Sequence, residues 1–174
     1  GYLDASEKVD RALRGGAMAV GAQVEITTIP GYLPMYQNEN LNELYEQNSV
    51  YLVGDEAVDR SNVGRFGGFS TDMGDMSQLM PIIHPSVLST SGDGHGIDYV
   101  VEDYNSAVIT AAKAMALTVV DLLHGNAEKG KEIVDKFEPL LTKDKYLKLL
   151  RSMYKEEKFK DNLANVKSDY KDFL

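Results

Sequence analysis

The order of apolar and polar positions predicts helices at both ends of the chain, one clear strand, and a loop-rich middle. Val9, Leu13, Ala17 and Val20 recur at three- and four-residue spacing, which predicts a helix over residues 4–20, opened by Asp4 or Ser6 and stopped by Gly21. Val24, Ile26 and Thr28 then alternate with Glu25, Thr27 and Ile29, a half-buried strand ended by Pro30-Gly31. Residues 39–48 place Leu41, Leu44 and Tyr45 on one helical side. The apolar run Val50–Val53 that follows fits either the end of that helix or a short strand. From Tyr104 to His124 the period is helical again. Val108, Ala112, Met115, Val119 and Leu122 make one long stripe, with Asp103 or Asn105 as cap and Gly125 as stop, and such a stripe predicts a well-buried helix. Three further helices are expected at 127–137, 142–155 and 158–172, the middle one begun by Thr142 and Asp144 after Pro139.

Between Gly64 and Gly96 the texture changes to glycine, aspartate, serine and methionine, broken by one strand-like run from Gln78 to Ile83. A loop-rich stretch of this length inside a domain is expected to build a site. Composition agrees with this division. The chain has 174 residues, 43% hydrophobic and 26% charged, which suits one globular domain. Its net charge of −9 is uneven. Residues 126–174 hold 12 of the 18 basic groups and 10 of the 27 acidic ones, leaving 6 and 17 to residues 1–125. The last third therefore reads as exposed amphipathic helix, peripheral to the fold, and the acidic, glycine-rich part carries any chemistry.

The composition also narrows that chemistry. With no cysteine, the chain itself offers no disulfide, thiolate nucleophile, thiolate-bound zinc or iron–sulfur cluster, so a metal here must sit on His, Asp or Glu. No stretch reaches ~18 uninterrupted apolar residues and the first residues do not have the order of a secretory signal, so a soluble, cytoplasmic protein is expected. A sequence pI near 4.8 argues against nucleic acid or an anionic membrane as the main partner.

The loop region gathers Ser70-Thr71-Asp72-Met73-Gly74-Asp75-Met76-Ser77, then His84-Pro85, then Ser91-Gly92-Asp93-Gly94-His95-Gly96. Carboxylates and imidazoles on turns are the donor set for zinc, manganese or cobalt in a hydrolytic site. The structural alternative is that Asp72 and Asp75 satisfy turn backbone N–H groups. His95, flanked by glycines, is open to both readings, ligand and loop histidine. His84, at the end of an apolar run, and His124, at a helix C-terminus where a partly protonated ring suits the dipole, read as structural. There is no Gly-x-Ser-x-Gly elbow, no Walker-type loop and no dinucleotide fingerprint, and Met73, Met76 and Met80 read as filler rather than ligands.

Taken together, Ser-Thr-Asp-Met-Gly-Asp-Met-Ser-Gln at 70–78, Met-Pro-Ile-Ile-His-Pro at 80–85, and Gly-His-Gly-Ile-Asp-Tyr at 94–99 leading into Tyr-Asn-Ser-Ala-Val at 104–108 resemble a known pattern. It is that of the C-terminal half of metal-dependent amidohydrolases, the aminoacylase/carboxypeptidase family of zinc peptidases that includes hippurate hydrolase and p-aminobenzoyl-glutamate hydrolase. Upstream, Glu7–Leu13, Gly21–Ile26 and Pro30–Pro34 resemble the end of that family's lid domain and the return into its catalytic domain. The likeness covers residues 2–155 in order.

The resemblance implies an α/β fold in three parts. Residues 1–30 would be the last helix and strand of the lid or dimerisation domain, 31–125 the C-terminal half of a zinc-peptidase-like catalytic domain, and 126–174 a helical tail packed on it. It implies hydrolysis of the amide bond of N-acyl or N-aroyl amino acids or a related peptide. His95 would be the late metal ligand of a divalent metal site, with Thr71, Asp72 and Asp75 at substrate or supporting positions. The resemblance places the remaining ligands and the Glu-Glu pair that holds the general base in the missing N-terminal half, so the metal site is incomplete and the isolated chain is expected to be inactive. The implied partners are the missing N-terminal half and a small N-acyl amino acid or peptide substrate, with a homodimer in the full-length form and neither nucleic acid nor membrane. Two other readings compete: a non-catalytic α/β interaction or ligand-binding module derived from that fold, and a small acidic scaffold without a ligand.

Overall fold

The computed structural model describes residues 2–61 and 70–160. The architecture is mixed α/β, several helices with a few short strands. The chain divides into two compact units, one from Gly1–Gly31 with Leu147–Leu174 and one from Tyr32–Tyr146.

In the first unit, helix α1 (Tyr2–Ala19) turns into strand β1 (Gln23–Thr28). Gly21 makes the turn possible. At φ 65° it lies in the left-handed region, and the Gly21 N–H reaches Met18 O at 3.2 Å while Ala22 N–H reaches Ala17 O at 2.8 Å. This is the Schellman pattern that satisfies a helix's last carbonyls. β1 pairs antiparallel with β4 (Lys155–Lys160), in a register that sets Val24 against Phe159, Ile26 against Glu157 and Thr28 against Lys155. Ala17 and Ile26 are the buried apolar residues among those described here.

Strand β4 corrects the expectation of an all-helical tail. The segment Lys-Glu-Glu-Lys-Phe-Lys has a helix-like composition, yet its exposure alternates and Lys155, Glu157 and Phe159 form the less exposed face. The reason is pairing rather than propensity. Asp10 and Arg14 lie one helical turn apart on α1, about 6 Å. Lys155 and Glu157 lie two residues apart on one strand face, about 6.7 Å. The two rows match: Lys155 pairs with Asp10, and Arg14 donates from Nη2 to Glu157 at 2.6 Å. Asp10 is only 4% exposed. The rest of the expected helix 158–172, from 161 onward, lies outside the described residues.

Two consequences follow for stability. Arg14 holds the Glu157 carboxyl below the ordinary glutamate range, chiefly through their hydrogen bond. A lowered carboxyl contributes its full stabilisation above its unfolded value and loses it as pH falls through the folded one, so this pair weakens only in acid. Lys155→Ala leaves the Asp10 carboxylate buried without its cation. We expect a loss of about 2 kcal/mol in urea unfolding, less than for a fully desolvated pair because Lys155 is 40% exposed, whereas Lys158→Ala on the opposite face costs almost nothing.

In the second unit, helix α2 (Glu39–Val53) begins where the Asn38 side chain accepts from Leu41 N at 3.0 Å and takes in Val50–Val53 as its last turn. A short helix α3 (Met73–Ser77) occupies a stretch expected to be loop, and the strand-like run Gln78–Ile83 joins no ladder. Gln78 and Leu79 form the turn that leaves α3, with Gln78 N–H on Asp75 O at 3.2 Å and Leu79 N–H on Met76 O at 3.0 Å. Pro81 beyond it has no N–H to offer a neighbouring strand, so the rest of the run is held at single points, such as Asn38 N–H to Ile82 O at 2.8 Å. The strands β2 (Thr90–Ser91) and β3 (Val100–Val101) form a small antiparallel pair.

Asp103 then caps the long helix. Its carboxylate accepts from Asn105 N at 2.9 Å and Ser106 N at 3.1 Å, the first turns over Asn105–Thr110 are wound as a π-helix, and α4 continues over Ala111–Leu123. Helices α5 (Glu128–Asp135) and α6 (Lys143–Met153) follow. Thr142 accepts from Lys145 N as expected for a helix start. Ile133 of α5 is 3% exposed, so the tail supplies core as well as surface.

Helix α4 reverses one expectation. It packs on α2 through Ala114 and Thr118, both buried, and Asn48 of α2 bonds Thr118 Oγ1 at 3.3 Å and Asp121 at 2.8 Å. The stripe predicted to be buried is the open one: Val108 is 55% exposed, Met115 61% and Val119 52%. Over Asn105–Leu123 the helix is long and apolar enough to cross a membrane by length and composition alone, with a mean hydropathy of 1.7 and 11% of the span buried.

Candidate functional site

The residues singled out from the sequence lie on two structures in the second unit: the turn into α3, and the loop between β2 and β3. At α3 the arrangement begins with the segment Tyr32–Gln37, which belongs to no helix or strand and pairs with no strand among the described residues. Its backbone groups still need partners. Side chains of the α3 region supply them: Asp75 Oδ1 accepts from Leu33 N at 2.9 Å, Ser77 Oγ accepts from Tyr36 N at 3.1 Å, and Gln78 Nε2 donates to Pro34 O at 2.7 Å. Ser77 Oγ also donates to Gly74 O at 2.6 Å, and Ser77 is 1% exposed. Gly74 lies against the same strap, since a Cβ there would sit 3.0 Å from the Leu33 carbonyl carbon and closer still to its oxygen.

Asp75 is thus half-buried and engaged with backbone. Its charge, after the effect of burial, pushes the Tyr146 hydroxyl above its ordinary range. Asp72 differs. It is exposed at the start of α3, makes no side-chain cap bond, and accepts from the Thr71 hydroxyl at 3.3 Å. Thr71 Oγ1 also accepts from Met73 N at 3.4 Å. Asp72 is therefore the carboxylate of this pair that faces solvent.

His95 stands at the other structure. The base of its loop is fixed by the β2–β3 pair, by Ser91 Oγ donating to Glu102 at 2.6 Å, and by Ser89 O accepting from the N–H groups of Glu102 at 2.9 Å and Asp103 at 3.2 Å. The tip is closed by Gly96 N–H to Asp93 O at 2.7 Å. Within that turn His95 has φ 68°, a left-handed conformation uncommon for a side-chain-bearing residue. The imidazole is exposed and has no hydrogen bond among the described residues. A backbone held in this conformation by the turn around it is an observation from which a functional hypothesis properly starts. His84 is exposed, with its backbone N–H donating to Gln37 Oε1 at 2.9 Å, and His124 closes α4.

Among the described residues, no three His, Asp or Glu side chains come together as a set able to hold a metal ion. His95 offers one imidazole, so these residues do not by themselves fit a metal centre. The residues that sequence reasoning did not single out are Ser77 and Gln78, the most enclosed polar side chains of the loop region. Their signal was present in the sequence as two polar positions ahead of the apolar Leu79–Ile83 run, but it needs the position of the Leu33–Tyr36 strap to be read. Compared with family models, with curated proteins and with solved structures, the chain matches none.

Proposed function

We infer that this chain is the C-terminal portion of a cytoplasmic metal-dependent amidohydrolase that cleaves the amide bond of N-acyl or N-aroyl amino acids, and that it is inactive alone. The observation that carries the reading is His95: an exposed imidazole, unbonded among the described residues, in a left-handed turn on a hydrogen-bonded base, at the position where the motif likeness expects a metal ligand. Asp72, free of cap bonds, is the carboxylate available to a substrate, and Asp75 with Ser77 and Gln78 holds the strap that supports its turn. The other ligands and the general base come from a polypeptide outside this chain. The open stripe Val108, Met115 and Val119 supports that incompleteness, since a soluble domain seldom leaves so long an apolar face uncovered. Its other face, engaged by Asn48 and carrying Asp121, favours a protein neighbour over lipid.

The upstream coding DNA should hold an in-frame His-x-Cys-Gly-His or His-x-Asp element and a Glu-Glu pair. The polypeptide it encodes, purified separately and mixed with this chain, should form an equimolar complex and slow hydrogen exchange over residues 105–123. Slowed exchange with phosphatidylcholine vesicles, and none with the upstream polypeptide, would overturn the reading.

A further inference from the structure

We propose that Asp93–Gly94 is a site of spontaneous isoaspartate formation, a covalent modification of the loop that carries His95. The chemistry needs a backbone amide nitrogen able to reach the preceding side-chain carboxyl carbon. The Gly94 nitrogen attacks Asp93 Cγ, its proton and one carboxyl oxygen leave with a second proton as water, and a five-membered succinimide closes. Water then opens the ring. Opening at the Asp93 main-chain carbonyl breaks the original peptide bond, so the chain runs through Cγ and a free carboxylate remains on Cα. One water leaves and one enters, so the mass is unchanged and no oxidant or reductant is required.

Three observations place the reaction here. Asp93–Gly94 is the one Asp-Gly step in the sequence, and there is no Asn-Gly step. Asp93 and Gly94 are exposed, and a Cβ at Gly94 would meet nothing within 4 Å, so the step has room to bend into a ring. Among the described residues neither the Gly94 N–H nor the Asp93 carboxylate has a hydrogen-bond partner, whereas the turn is closed one residue further on, by Gly96 N–H to Asp93 O at 2.7 Å. Several other aspartates among the described residues are protected by their settings. Asp10, Asp121 and Asp135 lie inside helices, Asp103 is held by Asn105 and Ser106, and the N–H after Asp98 donates to Gly96 O at 3.3 Å. The product lengthens the backbone by one carbon two residues ahead of His95, which re-aims that side chain whatever its role.

The test is to incubate the full 174-residue chain at neutral pH and 37 °C and map isoaspartate by peptide mass spectrometry with electron-transfer fragmentation. Isoaspartate should accumulate at residue 93 at least roughly tenfold faster than at any other aspartate, and Gly94→Ala, which adds a side chain beside the attacking nitrogen, should slow it by a similar factor. Asp93→Glu, which would need a six-membered ring, should abolish it. Accumulation at residue 93 no faster than at Asp72 or Asp98, or an undiminished rate in Gly94→Ala, would overturn the proposal. None of these outcomes depends on the amidohydrolase reading.

Discussion

His95→Ala, in the complex that the proposed reading requires of this chain with an upstream half, should lower metal-dependent hydrolysis by more than about 100-fold, beyond what loss of a supporting group costs. The expectation rests on position: the ring is exposed, makes no hydrogen bond to the described residues, and stands on a backbone fixed by the Ser89–Glu102 and Asp93–Gly96 bonds. Removing it therefore takes away no internal contact, and the urea unfolding midpoint of the isolated chain should not fall. His84→Ala and His124→Ala serve as controls and should keep activity. His84 contributes its backbone to Gln37 and His124 closes α4, so neither ring is committed to a site. Lost activity together with lost stability in His95→Ala would make the residue a structural part of its loop.

Gly74→Ala should have the largest effect on stability, about 3 kcal/mol in urea unfolding, at the upper end of what forcing one extra carbon into a packed region costs. The added Cβ would fall on the backbone of the Leu33 carbonyl, which cannot rotate away as a side chain would. The strap would have to move, and with it the bonds from Leu33 N to Asp75 and from Tyr36 N to Ser77. Gly15→Ala provides the contrast. It sits inside α1 with nothing within 4 Å of its Cβ, and the helix should gain about 0.5–1 kcal/mol from it. Equal effects at the two glycines would mean that α3 does not press on the strap.

The parts of the fold legible in the sequence are those in which local pattern and tertiary role coincide. The extent of α1, the Gly21 stop, the β1 alternation and the Asp103 cap recur in the structure within a residue or two, whereas Val9, Leu13 and Val20 of the α1 stripe are exposed and Ala17 alone of it is buried. The parts that escaped depend on contacts distant in sequence. β4 carries Lys155 and Glu157 on its inner face because Asp10 and Arg14 wait for them some 140 residues earlier, so no apolar alternation announces a strand. The run 78–83 has a strand's composition but, with Pro81 in it, no ladder. On α4 the period correctly marked an apolar stripe, but burial needs a partner. The small residues Ala114 and Thr118 took the α2 side, and the large ones were left open. At the candidate site the sequence supplied the residue types, while the division of labour between Asp72 in solvent and Asp75 on the Leu33 N–H is a fact of the fold.

The most direct measurement of the central claim is hydrolysis of an N-acyl amino acid, with zinc or manganese supplied, by three samples: this chain, the upstream polypeptide, and the two combined. The account predicts chelator-sensitive release of the free amino acid by the combined sample alone, with metal content that falls when His95 is replaced by Ala. Chelator-sensitive hydrolysis by this chain alone, or an inactive combined sample in which the two polypeptides are nonetheless bound to each other, would contradict it.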